Sequence, residues 1–228
     1  MPRPVAAFDI DGTVFRSSLL IELVDELVRR EIFPKDAKKG YARAEENWKN
    51  RKSGYDPYVN KVVGAFMKHA KGVPYGEVAD IAGEIIEAKK DRVYRYTRDL
   101  IQKLKGEGYY LLAVSRSPKF IVDGFGYEMG FDKSYGIFYE TGASGRFTGE
   151  IVDEHIIFNK ALVLQRAMKK EKLSFTNSLA VGDTESDIPM LELVDTPIAF
   201  NPNKGLLKHA KQHNWKVVVE RKDVVYEL

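Results

Sequence analysis

The sequence predicts an α/β protein, a doubly wound parallel sheet with an all-helical segment inserted after its first strand. Three observations carry this. Short apolar runs such as Val5-Ala6-Ala7-Phe8 and Tyr109-Tyr110-Leu111-Leu112-Ala113-Val114 recur between stretches of helical periodicity. Strands covered on both faces read as continuous apolar runs, and their alternation with helices implies parallel pairing. Residues 35–92, by contrast, hold no convincing strand, and polar, mostly acidic residues follow directly after three of the apolar runs.

Residues 4–8 read as the first strand. Residues 18–31 place Leu19, Leu20, Leu23, Val24, Leu27 and Val28 at helical spacing, with Ser17 or Ser18 as N-cap and Pro34 as the stop. Residues 35–92 read as helical, broken at Ser53-Gly54 and near Gly72-Val73-Pro74. A helix over 93–105 ends at Gly106 and Gly108, and a buried strand follows over 109–114. Ser117-Pro118 opens the next helix, with proline at its first position, and that helix ends near 126–130. Short strands fit near 134–139 and 146–151, joined by a hairpin turn at 142–145. The rest alternates: a helix over 154–170, a strand over 178–181, a short helix over 187–193, a strand over 197–200, a helix over 204–212 and a last strand over 216–219. The expected division is a core of residues 1–15 and 93–228 with a cap of residues 16–92.

The 228 residues contain no cysteine, which excludes disulfides, thiolate metal sites and cysteine catalysis. No apolar run approaches the roughly 18 residues needed to span a bilayer, and the first apolar run leads straight into acids rather than forming a signal peptide. A cytoplasmic protein without membrane attachment is expected. The net charge of +3 does not imply a nucleic-acid partner. Residues 29–61 hold ten Lys/Arg and five acids, an excess of five positive charges. That segment reads either as a solvated helical surface or as a face that attracts anionic substrates.

In open α/β sheets, ligands bind beyond the carboxyl ends of the strands. Those positions hold Asp9-Ile10-Asp11-Gly12-Thr13, then Ser115-Arg116-Ser117, then Gly182-Asp183-Thr184-Glu185-Ser186-Asp187. Asn159-Lys160 lies near the start of the helix before the last of these strands. Carboxylates converging from several strand ends repel unless a cation offsets them. Oxygen-only ligands suit a hard ion, Mg²⁺ before Ca²⁺. A carboxylate left free can attack phosphorus to form an aspartyl-phosphate, and a second can act as general acid and then base. Ser and Lys would hold the phosphoryl oxygens.

These motifs, in this order, resemble those of the haloacid dehalogenase-like (HAD) phosphohydrolases, whose core is Rossmann-like. Asp9-Ile10-Asp11-Gly12-Thr13, Ser115, Lys160 and the run from Gly182 to Asp187 match the first to fourth motifs, and the helical insertion is similar to the cap of the phosphoserine phosphatase-like subfamily IB. The resemblance implies roles. Asp9 would be the nucleophile and a Mg²⁺ ligand, and Asp11 the acid/base and a ligand through its backbone carbonyl. Ser115 and Lys160 would bind the phosphoryl group, Asp183 would complete the protein ligands to Mg²⁺, and Asp187 would orient a metal-bound water or Lys160. The implied partner is a small-molecule phosphate ester. The sequence leaves oligomeric state open, together with phosphotransfer to another acceptor and a non-catalytic metal- or phosphate-binding module.

Simpler readings stand beside these. Asp9 and Asp11 could be turn acids. A calcium loop fails because Val14 and Leu20 occupy its glycine and glutamate positions. Ser117 rivals Ser115 and is the better N-cap, and Asp187 could cap the helix that follows it. Glu185 is expected to be exposed, His209 and His213 to lie on a surface helix, and Trp48, Tyr55 and Tyr58 to be packing residues rather than a pocket. Two departures from the phosphoserine phosphatases matter. Their glutamate that meets the substrate amino group falls at or near Ser18 here, and their Ser-Gly-Gly is Ser115-Arg116-Ser117. Arg116 suits a second anionic group better than an ammonium, so phosphoserine is not expected as the main substrate.

Overall fold

The computed structural model describes residues 2–153 and 158–228. Eight strands form one sheet: β1 (Pro4–Asp9), β2 (Tyr110–Pro118), β3 (Lys133–Thr141), β4 (Phe147–Val152), β5 (Ser174–Gly182), β6 (Thr196–Phe200), β7 (Lys216–Arg221) and β8 (Val224–Glu227). The order is β4-β3-β2-β1-β5-β6-β7-β8. Pairing is parallel from β3 through β7, and only the outermost pairs, β3 with β4 and β7 with β8, are antiparallel. The chain winds outward from β1 in both directions, so β1 stands at the switch point where such sheets leave a crevice. Val5, Ala6, Ala7 and Phe8 are fully buried, as a central strand covered on both faces requires.

Helices α1 (Leu19–Arg29), α2 (Ala42–Lys49), α3 (Tyr55–Ala70) and α4 (Tyr75–Lys89) lie between β1 and α5 (Arg95–Gly106) in the chain, with a 3₁₀ turn at Lys35–Gly40. No strand occurs among them; an isolated bridge pairs Pro74 with Arg146 beside β4. Phe15 bridges to Val93, which brings the two ends of the insertion together. The apolar stripe read from residues 18–31 is the buried face of α1: Leu19, Leu20, Ile21, Leu23, Val24 and Leu27 are all inside. Half of the ten cations in residues 29–61 pair with neighbouring acids: Arg29 with Glu26, Arg30 with Glu26 and Glu84, Lys35 with Glu31, Lys38 with Asp25 and Lys49 with Glu45, which a solvated helical surface accounts for.

Helices α6 (Lys119–Met129), α7 (Lys160–Glu171), α8 (Ile188–Leu191) and α9 (Lys204–Gln212) complete the described elements. The helix expected over 154–170 begins at Lys160, and its residues 154–157 lie outside the described residues. The last strand was expected to stop at 219. It instead runs to Arg221 and turns through Lys222, with φ of 56°, into β8. That strand is mostly exposed and held by cross-strand pairing, which leaves little hydrophobic pattern to read.

Candidate active site

Three strand ends meet at the crevice. Asp9 closes β1 and sits level with Val114 of β2, while Phe8 sits level with Val181 of β5. Asp9, Ser115 and Asp183 therefore arrive together, as their positions after the strands implied. Asp9 is buried; its Oδ1 accepts a hydrogen bond from Lys160 Nζ, and its Oδ2 is buried without a partner.

Lys160 is the first residue of α7. Asn159 caps that helix by accepting from the backbone N–H groups of Ala161 at 3.1 Å and Leu162 at 3.4 Å. An ammonium buried to 3% exposure at the positive end of a helix needs strong compensation. Two carboxylates provide it, because Lys160 Nζ donates to both Asp9 and Asp187. Burial pulls the lysine pKa down, but Asp187 and Asp9 together outweigh this and hold the ammonium above its ordinary value.

Asp187 is fully buried, and its Oδ2 accepts from the backbone N–H groups of Asp183 at 3.0 Å and Thr184 at 2.9 Å. It closes a capping box with Thr184 around the 3₁₀ turn Glu185–Asp187 and makes no side-chain cap to α8, the role sequence reading had allowed. A side chain at Gly182 would place its Cβ 2.5 Å from that of Asp187, so only glycine admits the aspartate there. Gly12 has φ of +90° and would put a Cβ 2.3 Å from Asp183 Oδ2, so the turn after β1 needs glycine on both counts.

Asp9, Asp183 and Asp187 each present an oxygen within 4.8 Å of the others, and they form the only cluster of this kind among the described residues. Burial pushes Asp9 up to about 7, with Lys160 opposing and Asp187 and Asp11 adding to the rise. Burial, then Asp9 and Asp187, raises Asp183 well above the ordinary carboxylate value. Three carboxylates face one ammonium, and one buried oxygen is orphaned. Such a set fits a hard divalent cation.

Asp11 has different surroundings. Its Oδ1 accepts from Leu19 N at 2.6 Å, and its Oδ2 accepts from Ser115 Oγ at 2.5 Å and Ser117 Oγ at 2.9 Å. Ser117 Oγ also accepts from Leu20 N at 3.1 Å. This corrects two readings. Asp11 and Ser117 satisfy the first N–H groups of α1, where Ser17 or Ser18 was expected; Ser18 occupies the cap position without a side-chain bond. Ser117 lies in β2 and does not cap α6, which starts after Pro118.

A recess of about 40 Å³ adjoins this chemistry, lined by Asp9, Asp11, Ser117, Lys160, Asp183 and Arg116 among others. Arg116 is half-buried and donates to Ser186 Oγ at 3.3 Å. Ser115 is 1% exposed, bonded to Asp11 and absent from the recess wall, where the hydroxyl residues are Ser18, Ser117, Thr184 and Ser186. The insertion contributes Tyr55, Asp56 and Val59 from the first turns of α3, together with Ser18 and Leu20. Sequence reading missed Asp56 and Val59. The break at Ser53-Gly54 that starts α3 was the one available signal. Beyond the recess opens a cleft of about 1210 Å³, which Trp48, Tyr55 and Tyr58 line, so these aromatics are wall residues and not packing alone. Glu185 is exposed as expected. His209 lies on α9 and stacks on His213, the residue that ends it, with ring centroids 4.0 Å apart; neither belongs to the carboxylate cluster.

The fold and this oxygen-rich crevice define a hydrolase of the HAD type. The family model for haloacid dehalogenase-like hydrolases matches residues 6–192, and the chain belongs to that family. The phosphatase class expected from the motifs stands as well. The chain is similar to a phosphoserine phosphatase of Mycobacterium tuberculosis, 25% identical over 237 residues and covering 95% of this chain and 76% of that protein. It is also similar to a histidinol-phosphatase of Neisseria meningitidis, 23% identical over 224 residues and covering 95% and 98%. Among solved structures it resembles a protein of unknown function from Bordetella pertussis, with a TM-score of 0.76, 22% identity, and coverage of 95% and 98%; that likeness concerns the fold.

Proposed function

We propose that the protein is a Mg²⁺-dependent phosphomonoester hydrolase working through an aspartyl-phosphate on Asp9. The observation that supports this most is the orphaned, buried Asp9 Oδ2 at the end of the central strand, bordering a small recess beside Lys160 and Asp183. Asp9, the backbone carbonyl of Asp11 and Asp183 would hold Mg²⁺, which when bound supplies positive charge to offset the converging carboxylates and the phosphoryl oxygens.

The protein residues would then divide the work. Lys160 fixes the Asp9 carboxylate through Oδ1 and leaves Oδ2 to attack phosphorus. The alkoxide of the substrate leaves with a proton from Asp11. Asp11 then accepts a proton from the water that attacks the aspartyl-phosphate, releasing phosphate and restoring Asp9. Hydrogen bonds from Leu19 N, Ser115 and Ser117 aim the Asp11 carboxylate and set its orientation. Lys160, Arg116 and the Ser117 hydroxyl, which line the recess, bind the phosphoryl group; Ser115, expected in that role, would have to turn from Asp11 to join them, and Asp187 positions Lys160.

Residues 16–92 act as a cap over a core of residues 1–15 and 93–228, placing Tyr55 and Asp56 over the nucleophile. The substrate is a small phosphate ester, not primarily phosphoserine, since Ser18 lacks the carboxylate and Arg116 adds a cation to the recess. Among the described residues no helix is long and apolar enough to cross a membrane. The proposed setting is cytoplasmic, without nucleic acid as partner.

A panel of phosphorylated metabolites and phenyl phosphate, assayed with Mg²⁺ and with EDTA, tests this. Metal-dependent hydrolysis is expected, with some ester turned over faster than phosphoserine. Phosphoserine outpacing every other ester would overturn the specificity reading, and no metal-dependent hydrolysis of anything would leave a binding module as the better account. Transfer to an added alcohol exceeding hydrolysis would favour a phosphotransferase.

A further inference from the structure

We propose that the substrate carries a second anionic group on its leaving-group side, a carboxylate or another phosphate, held by Arg16, Lys204 and Lys208. This rests on the phosphomonoester reading above and deepens it.

The recess beside Asp9 holds about 40 Å³ and the cleft beyond it about 1210 Å³. Tyr55, Asp56, Asp183 and Thr184 line both, so the two are continuous. A phosphoryl group in the recess therefore directs its leaving group into the cleft. Typical ligand pockets are of order 300–1,000 Å³, so there is room for far more than a short alcohol.

The cleft's charges sort into two groups. Arg92 and Lys49 are neutralised by Glu22 at 3.2 Å and Glu45 at 2.6 Å. Arg16, Lys204 and Lys208 line the same cleft, are exposed, and have no carboxylate within 4.0 Å among the described residues. Arg16 has its guanidinium carbon 5.6 Å from the centre of the Tyr94 ring, and its backbone is tied to Arg92 O at 2.9 Å. An arginine held on an aromatic face keeps its hydrogen-bonding edge free for a planar or tetrahedral anion. Lys204 and Lys208 are four apart on α9 and so share one face. Lys204 is also the first residue of that helix, where a cation opposes the positive end of the dipole. A cation placed against that rule and making no ion pair, although the Glu185 carboxylate lies over the neighbouring Gly205, is available to a ligand.

Three acids of the cleft, Asp56, Asp183 and Glu185, also lack a cation partner among the described residues; Asp183 is the proposed Mg²⁺ ligand, and each of the other two has a local explanation. Asp56 is in the first turn of α3. The Glu185 carboxylate lies over Gly205 in the first turn of α9, so close that a Cβ there would overlap it. Helix N-termini favour both placements.

Calorimetry with Mg²⁺ and three non-hydrolysable probes tests this: benzylphosphonate, 4-carboxybenzylphosphonate and 1,4-xylylenediphosphonate. The folded protein should bind at least one anion-bearing probe about tenfold more tightly than benzylphosphonate, the sum of a few partly exposed ion pairs, with the preference shrinking as salt is raised. Which arm wins identifies carboxylate or phosphate. In Arg16→Ala, and in the double variant Lys204→Ala/Lys208→Ala, that ratio should fall about threefold or more at an unchanged melting temperature. A ratio near one in the unmodified protein, or a ratio preserved in both variants, overturns the proposal. Intact phenyl phosphate hydrolysis with no anion preference sinks this inference alone. A preserved preference without any hydrolysis sinks the phosphomonoester reading alone.

Discussion

Replacing Lys160 with methionine removes the ammonium but keeps most of the side-chain volume, which isolates the electrostatic role of the lysine. Lys160 Nζ bonds both Asp9 and Asp187, and the oxygens of Asp9, Asp183 and Asp187 lie within 4.8 Å of one another. At that separation and an effective dielectric of about 20, each pair of like charges repels by about 3–4 kcal/mol. Protonation of one acid caps the cost, so the expected destabilisation without metal is about 3–5 kcal/mol, as for removal of one partner from a buried ion pair. The pH dependence has a definite sign. Asp9 has its folded pKa raised to about 7, so the native state holds more protons than the unfolded chain, whose aspartates titrate near about 4. Metal-free stability therefore falls as pH rises from about 4 through about 7. Without Lys160 the carboxylates rise further, and the loss deepens toward pH 8. Urea unfolding in EDTA at pH 5.5 and 8 checks this. A penalty below about 1 kcal/mol at pH 8, or one equal at both pH values, would refute the compensation argument.

Three further outcomes follow from the same geometry. Gly12→Ala should cost several-fold in Mg²⁺ affinity and destabilise by about 1–3 kcal/mol, because φ of +90° and the 2.3 Å approach to Asp183 Oδ2 are both violated; calorimetric Mg²⁺ titration showing unaltered affinity would contradict it. Ser117→Ala should lose about 1–3 kcal/mol of stability by leaving Leu20 N and Asp11 short of a partner, read by chemical denaturation. Asp187→Asn should keep the hydrogen bonds to the Asp183 and Thr184 N–H groups but release Lys160, lowering kcat more than it raises KM for phenyl phosphate; a pure KM effect would deny it a positioning role.

The crevice was legible because its chemistry sits in short runs directly after apolar strands. Asp9, Asp183 and Asp187 needed only the inference that β1 and β5 are neighbours in a parallel sheet. The helical insertion was legible for a similar reason: helical periodicity in α1 and the lack of any strand pattern through residue 92 are local properties. What escaped was long-range. Asp11 and Ser117 cap α1 across separations of 8 and 97 residues, and no propensity argument could prefer them to Ser17 or Ser18 next to the helix. Trp48, Tyr55 and Tyr58 looked like core because aromatic residues in helices commonly are, and only the docking of α3 beside the crevice turns Tyr55 toward Asp9. The hairpin that adds β8 has too little buried face to leave a pattern.

The central claim is that Asp9 is phosphorylated during turnover. Acid quench of the protein within the first turnovers of phenyl phosphate, followed by mass spectrometry of the peptide that contains Asp9, tests it most directly. The account predicts one added phosphoryl group on Asp9, which is absent in EDTA, with both adduct and turnover lost in Asp9→Asn. Sustained turnover with an unmodified Asp9, or turnover retained by Asp9→Asn, would contradict it.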